Sequence, residues 1–236
     1  MKIEKRIKAT GTLLAVAFAS ITFILLITQA QTDRLLLAAV TIFLVCVPWL
    51  FERFFHSRLS LPLYIFALFY AIGPMLGHCW YFYYTICWWD KLLHMCGGVM
   101  FAIFGAYLFE RLSKSKENHM ATAVFALCFS MAVAVAWEFF EFGADIFFGM
   151  DMQDDIVITS LTSYLLGDAI GVTGTIADIH SVTVNGIVLP GYIDIGLVDS
   201  MLDMLLESLG ALVTSLLLLA DKGRHPLIQD RRCSTL

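Results

Sequence analysis

Charge is scarce in this sequence. Of its 236 residues only 15% are charged while 59% are hydrophobic, and the mean hydropathy is +0.80. A soluble domain carries ~25% charged residues. That deficit excludes a single water-facing globule, because too much apolar surface would be left uncovered; a lipid solvent accounts for it. The net charge of −5 decides little, since in membrane proteins it is the distribution of charge along the chain that is informative. Other absences narrow the chemistry. None of the six cysteines forms a CxxC pair, which excludes zinc-ribbon and thioredoxin motifs. There is no His-Glu-x-x-His, no Gly-x-Ser-x-Gly and no Walker A loop, so zincin, serine-hydrolase and P-loop chemistry have no footing.

Apolar sequence is abundant instead. The first run, about Ala9 to Ile27, follows the basic start Met1-Lys-Ile-Glu-Lys-Arg-Ile-Lys8. It exceeds the ~7–15 residues of a signal-peptide core and reaches the ~20 needed to cross hydrocarbon, so it reads as a retained helix. Five further runs of spanning length follow: Leu35–Phe54, Leu61–Trp80, Asp90–Phe109, Met120–Phe147 and Gly196–Ala220. The expected fold is an all-α polytopic membrane protein of about six transmembrane helices. It forms one membrane domain over 1–236, with an extracytoplasmic loop at 148–195.

Orientation follows from the basic residues. Thirteen of fifteen Lys and Arg fall on one side of a six-span topology: Lys2, Lys5, Arg6, Lys8, Arg53, Arg58, Arg111, Lys114, Lys116, Lys222, Arg224, Arg231 and Arg232. Only Arg34 and Lys91 fall on the other. Cytoplasmic loops carry the excess of positive charge, so both termini are expected in the cytoplasm. The third connection, Trp80 to Trp89, is dense in aromatic rings and suits the outer interface. Cys79 and Cys87 fall near that interface, either disulfide-bonded or packed as thiols. In the long loop, Ser181-Val-Thr-Val184, Asn185-Gly186 and Ile187-Val-Leu189 read as a two-residue β-hairpin. Leu161–Ile176 reads as a short interfacial or re-entrant segment. A structureless loop of about fifty residues would be unusual, so a folded cap is expected.

The acidic residues are the other departure. No Lys or Arg occurs between Lys116 and Lys222, yet twelve Asp and Glu lie from Glu138 to Glu207. Loop residues such as Asp151, Asp154 and Asp155 read as solvated. Three groups lie inside spans. Asp90-Lys-Leu-Leu-His94 puts an acid and an imidazole on one helical face. Glu138, Glu141 and Asp145 recur at i, i+3 and i+7, and Asp199, Asp203 and Glu207 at i, i+4 and i+8. In a six-span topology all three groups fall in the outer half of the membrane, where His78 could join them. Charges near the bilayer centre cost at least ~2.5–3.5 kcal/mol, so Glu138 and Glu207 should face the bundle interior.

Carboxylates so grouped repel one another unless protons or a cation neutralise them. Asp and Glu oxygens with one His suit Mg, Mn, Ca or Zn. Without an arginine cluster on that face, an anionic substrate would also need the metal as counter-charge. Each group has a structural reading as well: Asp90 and Asp199 as helix N-caps, His94 as a hydrogen-bonded interior residue. The glycines Gly97, Gly98 and Gly105 fit close helix packing.

Asp90-Lys-Leu-Leu-His94 with Gly97-Gly98, Trp137-Glu138-x-x-Glu141, and Asp199-x-x-x-Asp203 ahead of Gly210-Ala211 resemble the YjdF-type bacterial inner-membrane proteins and, more distantly, VanZ-like proteins. The resemblance covers roughly Trp80 to Leu219 and implies a bacterial cytoplasmic membrane; it implies no particular reaction. The expected function is an outward-facing acidic/His site, metal-dependent, acting on an envelope lipid or lipid-linked substrate. Asp90, His94, Glu138, Asp199 and Asp203 are the expected ligands of a divalent ion. Glu138, Glu141 and Asp203 are the acid/base groups, and Asp145 and Glu207 support them. Two other functions stay open: a small-cation or proton-coupled transporter, and a non-enzymatic membrane scaffold. The lipid bilayer is the expected partner, and nucleic acid is not.

Overall fold

The computed structural model describes residues 2–113, 118–221 and 227–230. Lys114, Lys116, Lys222, Arg224, Arg231, Arg232 and Cys233 lie outside the described residues. Among the described residues eight α-helices are formed: α1 (Lys2–Thr28), α2 (Leu35–Leu44), α3 (Val47–Phe54), α4 (Leu61–Cys79), α5 (Phe82–Thr85), α6 (Trp89–Leu112), α7 (His119–Phe148) and α8 (Leu197–Asp221). Counting α2 and α3 as one interrupted stretch, six are long and apolar enough to cross a membrane. The interruption is local: Pro48 stands in the first turn of α3, where its missing N–H costs nothing but where it cannot extend the helix before it. Among the described residues eight three-residue strands pair as four antiparallel ribbons: β1 (Ser57–Leu59) with β8 (Ile228–Asp230), β2 (Ile156–Ile158) with β7 (Tyr192–Asp194), β3 (Leu161–Ser163) with β4 (Gly174–Ile176), and β5 (Val182–Val184) with β6 (Ile187–Leu189).

The chain divides into two compact units, Met1–Ala134 with Leu206–Leu236, and Val135–Leu205. In the first unit, Ala15, Val45, Leu63, Tyr64, Leu68 and Ile103 bury one apolar cluster and Ala19, Leu26, Ala38 and Met75 another. The fully buried members of a third are alanines, Ala102 and Ala106 of α6, Ala126 of α7 and Ala211 of α8, which lets these helices approach closely. Without a hydrophobic drive between helices in lipid, such van der Waals contact has to supply the attraction. Charge also enters this unit. Lys8 is buried; its Nζ donates to the Glu52 carboxylate at 2.8 Å and to the Leu59 carbonyl, and Glu52 accepts the Leu59 N–H at 2.9 Å. The ion pair therefore ties α1 to α3 and β1 with its hydrogen-bonding capacity used, the condition under which a buried pair is tolerated. Cys79 and Cys87 are not joined by a disulfide.

The second unit is held by carboxylates at its helix ends. Asp145, near the end of α7, accepts the Met152 N–H at 2.7 Å and the Gln153 N–H at 3.0 Å. Asp199 accepts the Asp154 N–H at 2.9 Å, and Gln153 donates to the Ser200 hydroxyl. Residues 152–154 are thus tied to both α7 and α8. The hairpin forms as expected, with Asn185 at φ 50° and Gly186 at φ 84°, the positive angles of a type I′ turn. Leu161–Ile176, read above as a short interfacial or re-entrant segment, is mostly extended rather than helical. It is a β3–β4 ribbon closed by a short 3-10 turn, Tyr164–Leu166, whose start the Ser163 hydroxyl caps by accepting the Leu165 N–H. Its apolar residues are displayed: Leu165 is 95% exposed.

Candidate functional site

In the first unit, α6 begins with Trp88 as N-cap, so Asp90 sits inside the first helical turn and is not the cap. Its Oδ2 lies 3.1 Å from Lys91 Nζ. Its Oδ1 points along the helix to His94 Nε2, 3.6 Å away. The other imidazole nitrogen, Nδ1, lies 3.8 Å from Glu207 Oε2 of α8. His94 and Glu207 are both buried. An imidazole is thereby placed between two carboxylates, each just beyond hydrogen-bond range. The second oxygen of Glu207, Oε1, is buried without a hydrogen bond among the described residues.

Close packing makes this possible. A Cβ added to Gly98 would lie 2.0 Å from the Glu207 carbonyl oxygen, and one added to Gly210 would lie 2.4 Å from the Met95 carbonyl oxygen. Only paired glycines let α6 and α8 touch backbone to backbone here. The Ser130 hydroxyl of α7 donates to the Gly98 carbonyl at 3.2 Å on the same seam. Tyr70 of α4 belongs to the site too: a Cβ on Gly97 would meet its hydroxyl at 3.0 Å and the Glu207 carboxyl carbon at 3.6 Å. The sequence reading missed Tyr70, whose neighbours along the chain are all apolar. His78 packs edge-on against Tyr83, with ring centroids 4.7 Å apart.

In the second unit, Glu138 and Glu141 are buried on one face of α7, with a carboxylate oxygen of each within 4.8 Å of the other. Glu141 also accepts the Trp137 indole N–H at 2.8 Å. Asp199 and Asp203 are buried in the first two turns of α8 at 3% and 1% exposure. Charged side chains that deep demand compensation. Asp199 does not cap α8. Asp194 does, accepting the Val198 N–H at 2.7 Å, an assignment the sequence did not suggest. Asp145 anchors the loop through the Met152 and Gln153 N–H groups.

The loop carries an acidic cluster of its own. Partial desolvation, then the charges of Asp151, Asp145 and Asp194, push the Asp155 carboxyl above its ordinary value. A folded state that holds this proton more tightly than the unfolded chain has the associated stability in full below the ordinary Asp range, and loses it as pH rises through the folded value. Hydrogen-exchange protection of residues 152–158 should therefore fall as pH rises above the ordinary Asp range, and Asp155→Asn should flatten that dependence.

No curated protein and no solved structure matches this chain. The family model described as Predicted membrane protein (DUF2238) matches residues 10–224, so the chain belongs to that family of membrane proteins.

Proposed function

We propose that the protein binds a divalent metal ion through its buried acidic/His groups and acts at the outer face of a bacterial cytoplasmic membrane on an envelope lipid or lipid-linked substrate. The observation carrying this reading is His94, set between Asp90 and Glu207 inside an apolar helix packing. Oxygen donors with one imidazole are a hard-to-borderline set that fits Zn, Mn or Mg. His94 Nε2 and Asp90 Oδ1, 3.6 Å apart, can both reach one ion with bonds of ~2.1 Å. Glu207 on Nδ1 would then hold the ring in orientation, as carboxylates commonly do behind a ligating histidine. The sequence spacing offers Asp199, Asp203 and Glu138 as metal-binding carboxylates too, with Glu138 also serving proton transfer. Glu138, Glu141 and Asp203 would move protons. A bound ion supplies electrophilic activation and lowers the pKa of its water. The basic connections of the sequence support cytoplasmic termini, and the likeness to YjdF-type and VanZ-like proteins supports the bacterial envelope.

One observation favours a second reading. An imidazole with a carboxylate facing each nitrogen is also placed to relay a proton from one acid to the other. That suits a proton-coupled transporter. The two readings separate on purified protein supplemented in turn with Zn, Mn, Mg and Ca. Bound metal near one per chain, reduced by Glu138→Gln and by Asp203→Asn, is the expected result. No metal under any supplement overturns it, and Glu138-dependent proton flux in proteoliposomes would install the transporter.

A further inference from the structure

In the first unit, α1 and α4 leave a groove of about 540 Å³ between them. Its walls are Ile7, Leu14, Ile65 and Leu68, and Arg6 and Thr10 lie toward the end where α1 begins. We propose that this groove is a binding site for an anionic phospholipid, the acyl chain lying along the apolar walls and the phosphate meeting Arg6.

Charge selects the occupant. Lys8 also borders the groove, but its charge is answered internally by Glu52 at 2.8 Å and Glu4 at 3.3 Å. Arg6 is exposed and makes no hydrogen bond or ion pair among the described residues, and Lys2 and Lys5 are exposed on the same first turns of α1. The groove thus ends in uncompensated positive charge. A guanidinium fork matches a phosphate diester through two parallel N–H···O bonds, which a zwitterionic headgroup dilutes with its own cation. Both walls belong to helices long and apolar enough to span the bilayer. A partner helix of this or another chain would leave Arg6 facing apolar side chains, at the cost of an unpaired charge. Basic residues beside a span attract anionic lipid in any case; the groove turns that general attraction into a site.

The test uses full-length protein in nanodiscs of phosphatidylcholine with one-fifth phosphatidylglycerol, extracted gently and weighed by native mass spectrometry. Wild type should retain phosphatidylglycerol at least five-fold over its share of the bilayer. Arg6→Gln, on an exposed side chain, should bring retention close to that share, and Ile7→Trp should lower retention of both lipids by filling the groove. Arg53→Gln, an equally exposed arginine at the end of α3, should leave the preference intact. Retention by wild type in proportion to the bilayer, or equal losses from Arg6→Gln and Arg53→Gln, overturns the site in favour of general surface attraction. Dimers that persist as phosphatidylglycerol is lost would make a second copy the occupant.

Discussion

Gly98→Leu should prevent the first unit from assembling. The first side-chain carbon would lie 2.0 Å from the Glu207 carbonyl oxygen and 2.9 Å from the Ala211 nitrogen, and both are backbone atoms of α8. Neither can step aside as a side-chain tip could, so α8 would have to move away from α6 along the whole seam. Overpacking a core costs ~1–3 kcal/mol where side chains can shift; here the cost should reach or exceed the top of that range. Losses of that size approach the ~5–15 kcal/mol that holds a typical protein folded. Thermal unfolding in detergent, followed by size-exclusion profile, is the measurement, and even Gly98→Ala should lower the midpoint clearly. Gly143→Ala supplies the contrast: its nearest contact would be Phe147 at 3.9 Å, ordinary van der Waals distance. That change should be neutral or stabilising by up to ~1 kcal/mol, the usual gain of Ala over Gly within a helix. Equal effects of the two would mean that the α6–α8 contact is not tight.

The second large effect concerns the imidazole. His94→Ala should abolish stoichiometric metal binding, and Asp90→Asn should reduce it almost as far, because the two donate to the same ion in the proposed arrangement. Glu207→Gln should act differently. Losing the carboxylate behind a ligating histidine typically costs 10–100-fold in affinity without removing a ligand. Titration of metal-stripped protein, followed by calorimetry in detergent, resolves the ranking. If Glu207→Gln abolished binding while Asp90→Asn only weakened it, the ion would belong at Nδ1 and the roles of the two acids would be exchanged.

How far these features can be read in the sequence depends on how local their causes are. The six spans need only a continuous apolar run, and the β5–β6 hairpin needs only Asn185-Gly186 between β-branched residues. The packing role of Gly98 and Gly105 also showed as small residues in an apolar helix. The features that the sequence did not show have long-range causes. Leu161–Ile176 is apolar without a clear period, and what makes it a ribbon is the pairing of Leu161 with Ile176 across a turn. The pairing of Ser57 with Asp230 joins segments from distant parts of the chain, and no local pattern announces it. Asp90 and Asp199 had the composition of N-caps, yet the helices begin at Trp89 and Leu197, and in α8 Asp194 supplies the cap from outside the helix. Within the candidate site, spacing showed which acids share a helical face. It could not show that Glu207 meets His94, because that depends on two glycine-lined backbones touching.

The tie between Asp199 and the Asp154 amide has a thermodynamic consequence. One oxygen of Asp199 is committed to an N–H of the segment that Asp145 also holds through Met152 and Gln153. A ligand that takes the lone pair Asp199 now offers to that amide loosens the strap, and its free energy of binding then contains that work. Linkage is reciprocal. Clamping residues 152–154 from outside would weaken the ligand by the same factor by which the ligand frees the segment. The affinity of Asp199 for such a ligand would then be adjustable from the loop.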